Sequence, residues 1–240
     1  MLNDTVKIKK SAKMIAHRGL SGLETENTNA AFVAAGQRSY FGIETDTQRT
    51  KDGYFVTFHD GELNRMMGVE RKICDITLEE LRGYTMKDYW YGRTRSDLVV
   101  PTLDEYIRIC KHYGKICILE LKGLFSVKDV EDMLEVINSE EYLDGIIFIS
   151  GEWESLINLR KVLPSHPAQY ICGNITDGLI SALVENSLDI DPYFEALDEE
   201  KIKKLHAEGI KINCWTVNDP QSAEKLDSWG VDMITSNFLE

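Results

Sequence analysis

Residues 103–122 read LDEYIRICKHYGKICILELK, and two periodicities meet inside them. Leu103, Tyr106, Ile107 and Cys110 recur at the i, i+3, i+4, i+7 spacing of one helix face. Thr102 stands where an N-cap belongs, and Gly114 where a left-handed residue closes a helix. The run ICILEL (116–121) follows at once, apolar except for Glu120, as in a short strand buried on both faces. A helix feeding such a strand is half of a parallel α/β repeat.

The same alternation extends in both directions. Strand-like runs occur at 14–17, 42–47, 54–59, 145–150, 168–172, 187–190, 210–217 and 231–235. Between them lie helical stretches such as NAAFVAAG behind Thr28, VKDVEDMLEVIN, and DEEKIKKLHAEG ending at Gly209. In 240 residues without a linker, low-complexity tract or repeat, a (β/α)8 barrel is the economical arrangement, formed as one domain over 1–240.

Two segments break the pattern. Only TKDG separates the second and third strands, too short for a parallel crossover, so the pair reads as an antiparallel hairpin. A two-residue Asp52-Gly53 loop sets Asp46 across from His59 with Glu44 on the same face, while a bulge at Gly53 shifts that pairing by one residue. Residues 60–100 carry turns, charges and the cluster Asp88-Tyr89-Trp90-Tyr91 but no clear strand and helix pair. They read as an insertion on the barrel mouth, the aromatics self-packed or serving as a lid.

Composition narrows the partners. Lys plus Arg number 27 against 40 Asp plus Glu, a net charge of −13, which repels nucleic acid. No apolar run is long enough to span a bilayer, and MLNDTVKIKKSAK lacks a secretory apolar stretch, so the expected compartment is the cytoplasm. Five scattered cysteines without a CxxC pair read as reduced and mostly buried rather than as a disulfide or zinc framework.

Chemistry concentrates at strand ends. In MIAHRGL (14–20) a buried-looking strand ends directly in His17, Arg18 and Gly19, which reads either as a strand leaving the core for water or as the floor of a site for an anionic substrate. Glu44 and Asp46 in GIETD, and Glu120 in ICILEL, interrupt apolar runs where an uncompensated carboxylate is costly. A lone acidic strand residue is better read as facing outward, but the three together with His17 and His59 favour a site. Three hard oxygen donors on neighbouring strands suit Mg²⁺, Ca²⁺ or Mn²⁺. Lys122 shares the Glu120 face. His112, His166 and His206 read as surface residues, and Trp215 in CWTVN as part core and part rim.

In order and spacing these segments resemble the glycerophosphodiester phosphodiesterase family: H17-R-G, E26-N-T before A-A-F, G42-I-E-T-D46, T50-K-D-G, H59-D60, L63-N-R65, D75-I-T-L-E-E-L, V100-P-T-L-D-E, L119-E-L-K122 and C214-W-T-V-N. The resemblance implies a distorted (β/α)8 TIM barrel that hydrolyses small glycerophosphodiesters to sn-glycerol 3-phosphate and an alcohol. It also implies that Glu44, Asp46 and Glu120 hold one divalent cation, that His17 and His59 are the acid/base pair, that Arg18 and Lys122 contact phosphate, and that Trp215 lies near the glycerol. The segment after His59 corresponds to the family's insertion. One departure concerns the C-terminus, where the family's Asp and Pro after Ile-Thr are replaced by Ser236-Asn237-Phe238-Leu239. Competing readings are a lysophospholipase-D-like or phosphoinositide-type enzyme, and a silent barrel used for binding.

Overall fold

The computed structural model describes residues 4–88, 92 and 94–240; Tyr89, Trp90 and Tyr91, singled out above, lie outside the described residues. The strands are β1 (Lys13–Ala16), β2 (Gly42–Arg49), β3 (Phe55–Thr57), β4 (Ile116–Leu121), β5 (Ile146–Ser150), β6 (Ala168–Cys172), β7 (Asp189–Pro192) and β8 (Met233–Ser236). The curled parallel sheet runs in the order β7-β6-β5-β4-β2-β1-β8, with β3 hanging on β2 as an antiparallel partner.

Residues 210–217 close the circle between β7 and β8. The Asn213 amide donates to the Ile190 carbonyl (3.0 Å), and the Thr235 amide to the Cys214 carbonyl (2.8 Å). These residues form isolated bridges, not the continuous strand expected from the sequence. The reason is local: the Cys214 amide is spent on the Asn213 side chain (2.9 Å), which removes a rung from the ladder.

The hairpin register also differs from the two-residue loop. Thr47 pairs with Thr57 and Arg49 with Phe55, so the loop is Lys51-Asp52-Gly53, closed by the Thr50 amide on the Tyr54 carbonyl (2.9 Å). Gly53 sits at φ 89°, the left-handed residue of a three-residue loop with a bulge. Asp46 therefore opposes Phe58, whose amide donates to its carbonyl (2.9 Å), and His59 follows just beyond the paired stretch.

Helices α1 (Asn29–Gly36), α2 (Asn64–Met67), α3 (Leu78–Arg82), α4 (Leu103–Tyr113), α5 (Val127–Ser139), α6 (Trp153–Val162), α7 (Asp177–Glu185), α8 (Glu199–Ala207) and α9 (Pro220–Trp229) complete the chain. The Thr28 side chain caps α1, Thr102 and Glu105 form a capping box on α4, and Gly114 closes α4 at φ 62°. Three apolar clusters result. The largest lies between sheet and helices; a small one, Ile15, Ile118, Ile149 and Met233, plugs the barrel interior beneath the carboxylates. The third joins Val56 and Phe58 to Leu63, Met66, Ile73, Ile76, Leu81, Met86, Leu98 and Val100, so residues 60–100, with short helices only, carry an apolar cluster of their own.

Candidate active site

β1 delivers His17 to the barrel mouth because Met14, Ile15 and Ala16 are all buried and leave the chain no alternative register. Arg18 and Gly19 then turn through φ 53° and 73°. A Cβ on Gly19 would stand 2.7 Å from the Ala31 backbone at the start of α1, so only glycine fits. That turn aims the Arg18 amide at Glu44 Oε2 (2.7 Å) and the imidazole into the cavity. His17 Nδ1 lies 2.7 Å from Asn237 Oδ1. With the proton on Nδ1, the ring donates to Asn237 and keeps an open lone pair on Nε2, 4.0 Å from Glu44 Oε2. Burial, reinforced by the Arg18 charge, pushes the imidazole down to about 4, so His17 is neutral at neutral pH.

Asp46 and Glu120 are cross-strand neighbours on β2 and β4, and Glu44 lies two residues back on the same face. One oxygen from each lies within 4.8 Å of the others. Burial opposes ionisation of Asp46, but Arg18, His59, Lys122 and the Asn27 amide (2.8 Å) hold its carboxyl below the usual range. Glu44 goes the other way: burial and the charges of Asp46 and Glu120 raise it well above its ordinary value. Glu120 is pushed up to about 7 by burial and Asp46, against the pull of Lys122 Nζ at 3.0 Å. Two of three clustered carboxyls thus retain protons that a divalent ion would displace. The donor set is all oxygen and suits a hard cation.

His59 is held by residues that follow it in the chain. Its Nδ1 lies 2.7 Å from Asp60 Oδ1, and Asp60 is pinned by Arg65 Nε (2.5 Å). Arg65 also donates to Glu26 (2.7 Å), which accepts from Arg18 Nη1 (2.9 Å). A chain of alternating charges therefore ties the two ends of the cleft together. Glu26, Asp60 and Arg65 stood in the quoted motifs without a role; Asn237 stood in the segment that departs from the pattern.

His17, Arg18, Glu44, His59, Glu120, Lys122 and Trp215 line one cavity of about 130 Å³, and Asp46 lies directly behind it. Trp215 is half-buried, its indole N–H donating to the Asp191 carbonyl (2.9 Å). Ile149, Ile171, Asp191 and Thr235 complete the walls. Asp191, 2% exposed, escaped the sequence because the strand was expected to end at 190, one residue short of it. Cys110, Cys117 and Cys214 are buried and Cys74 exposed, all unpaired. His112 and His206 are exposed, whereas His166 is half-buried under the Ile146 carbonyl (2.9 Å). Among the described residues, no helix is long and apolar enough to cross a membrane.

Known proteins resemble the chain over nearly its whole length. The model of the glycerophosphoryl diester phosphodiesterase family matches residues 17–240. A glycerophosphodiester phosphodiesterase of Caldanaerobacter subterraneus is 29% identical over 231 residues, covering 95% of this chain and 94% of that protein. Glycerophosphodiester phosphodiesterase 1 of Bos taurus is 31% identical over 274 residues, covering 94% and 78%. Among solved structures, an Oleispira antarctica phosphodiesterase in complex with the product sn-glycerol 3-phosphate superposes with a TM-score of 0.87 at 28% identity, covering 94% of this chain and 93% of that one.

Proposed function

Since this chain belongs to the glycerophosphoryl diester phosphodiesterase family and is a glycerophosphodiester phosphodiesterase, we propose that it hydrolyses small, deacylated glycerophosphodiesters to sn-glycerol 3-phosphate and an alcohol. We assign it one divalent cation on Glu44, Asp46 and Glu120, His17 as proton acceptor and His59 as proton donor, and a place in cytoplasmic glycerophospholipid breakdown as a single domain with an inserted lobe. The observation that carries the reading is the convergence of three carboxylates and two Nδ1-anchored imidazoles on one small cavity.

A bound Mg²⁺, Ca²⁺ or Mn²⁺ supplies positive charge at the phosphoryl oxygens. The ligand triad, Arg18, Lys122, one such ion and one diester anion sum to zero net charge, so substrate completes the balance. Arg18 suits the anion because its buried Nε is aligned with no acceptor, although Asp46 Oδ2 is 3.3 Å away. Neutral His17 takes the proton of the attacking oxygen, from water or from the adjacent glycerol hydroxyl. As the new P–O bond forms, the bond to the alcohol breaks, and His59 passes its Nε2 proton to the departing oxygen. The hydroxyl route passes through a cyclic phosphate that water then opens. Asn237 holds His17 with its proton on Nδ1 and Nε2 open to accept, while the Asp60 carboxylate accepts from His59 Nδ1 and offsets the charge of the imidazolium form, the form whose Nε2 carries a proton to give.

A coupled assay for released glycerol 3-phosphate over a head-group panel, with EDTA and with each cation, tests the proposal. Activity that requires a cation is expected; no product with any diester and any cation refutes it. Faster cleavage of a lysophospholipid than of glycerophosphocholine would move the enzyme to the lipid-cleaving class.

A further inference from the structure

The cavity wall shared by β6, β7 and Trp215 holds a group that the proposed reaction leaves unused. Asp191, next to last in β7, has 2% of its surface exposed, yet it lines the cavity. Its Oδ1 is buried without a hydrogen bond. No ion pair or hydrogen bond reaches its carboxyl group from any described residue. The nearby cations are committed elsewhere: Arg18 to Glu26 and Asp46, Lys122 to Glu120 and Asp46. Thr235 is no partner either, since its hydroxyl donates to Asn213 (3.1 Å).

Buried carboxyls that serve the fold are paired. One left unpaired beside a ligand space is an acceptor waiting for a donor that arrives with the ligand. Its surroundings describe that ligand. Ile171 sits beside Asp191 in the β6 and β7 register, and the Trp215 ring is locked in place by its bond to the Asp191 carbonyl. Apolar walls, a fixed aromatic ring and one free acceptor match a short carbon chain bearing hydroxyls. A quaternary ammonium arm brings no N–H or O–H for the carboxyl to accept.

We propose that Asp191 is a specificity residue that accepts hydrogen bonds from the hydroxyls of the glycerol arm and thereby selects the polyol side of the diester. The proposal rests on the hydrolase reading for the identity of that arm.

Calorimetry with Mg²⁺ present, comparing sn-glycerol 3-phosphate with propyl phosphate and phosphoethanolamine, isolates the hydroxyls. The wild type is expected to prefer glycerol 3-phosphate to propyl phosphate by roughly 10–100-fold. Asp191→Ala should bring the two close to parity, and Asp191→Asn, which keeps shape and one acceptor, should lose part of the preference. Because no protein contact is removed, Asp191→Asn should melt at or above the wild-type temperature. A clear fall would make Asp191 structural and overturn the assignment, as would a preference that survives Asp191→Ala, no preference in the wild type, or an Asp191-dependent preference for phosphoethanolamine. A protein that binds glycerol 3-phosphate selectively through Asp191 but releases none from any diester refutes the hydrolase reading alone. A hydrolase whose selectivity ignores Asp191 refutes this inference alone.

Discussion

Lowering the pH from 8 to 6 should weaken divalent-cation binding steeply, because the ion competes with protons for the same oxygens. Glu120, with its carboxyl pushed up to about 7, is mostly ionised at the upper pH and mostly protonated at the lower. That group alone costs roughly tenfold in affinity, about 1.4 kcal/mol, over the two units. Glu44, raised well above its ordinary value by burial and by Asp46 and Glu120, must also release a proton and can add up to about another 100-fold. Asp46, held low despite its burial by Arg18, His59 and Lys122, contributes nothing. Titration calorimetry with Mg²⁺ or Ca²⁺, in buffers of different ionisation heat, counts the protons released and gives the dissociation constant at each pH. An affinity flat from pH 6 to 8 with no proton release would refute the picture of a carboxylate cluster kept partly protonated until an ion arrives.

Replacing either histidine, His17→Ala or His59→Ala, should remove at least 10²–10⁴-fold of the turnover rate while calorimetry still detects the cation; near-wild-type rates from both variants would exclude the acid/base assignment. Asn237→Leu should lower kcat roughly 10–100-fold, as loss of ring-orienting partners does, with little change in KM. Unaltered steady-state kinetics would leave Asn237 no positioning role. Stability should fall as pH rises, and a bound cation should remove most of that fall. Glu120, raised when folded, lends stability that is full below its ordinary value of 4.5 and lost as pH rises through about 7, and Glu44 acts in the same sense. His17, depressed when folded, lends stability that is present above 6.5 and lost as pH falls toward about 4. Without a cation, Glu44, Glu120 and Asp191, which burial also raises well above its ordinary value, outweigh the imidazole, so the melting temperature should fall between pH 4.5 and 6.5; with saturating cation only Asp191 and His17 remain, their effects oppose, and the curve should be much flatter. Differential scanning fluorimetry reads both, and parallel curves would contradict the scheme.

The sequence made the repeat legible because helical and strand periodicities are local, as 103–122 shows. The convergence of Glu44, Asp46 and Glu120 was legible for a different reason: a charge inside an apolar strand is costly, and three of them on neighbouring strands share that cost by meeting at one place. What stayed hidden depended on backbone detail or on distance along the chain. The one-residue shift of the hairpin follows from Gly53 at φ 89°, and the broken wall at 210–217 from an amide diverted to Asn213. Asn237 meets His17 across 220 residues, a contact no periodicity encodes. Asp191 was missed because the end of a short strand was misplaced, and strand ends are where a barrel carries its ligand groups.

The two imidazoles are anchored to different apolar bodies. His17 continues β1 of the barrel, whereas His59 follows Phe58, which packs into the cluster built mainly by residues 60–100. The spacing of the two rings therefore depends on how residues 60–100 pack against β3 as well as on β1. Under the proposed acid/base assignment, loosening that cluster would slow hydrolysis while leaving the barrel strands and their carboxylates in place.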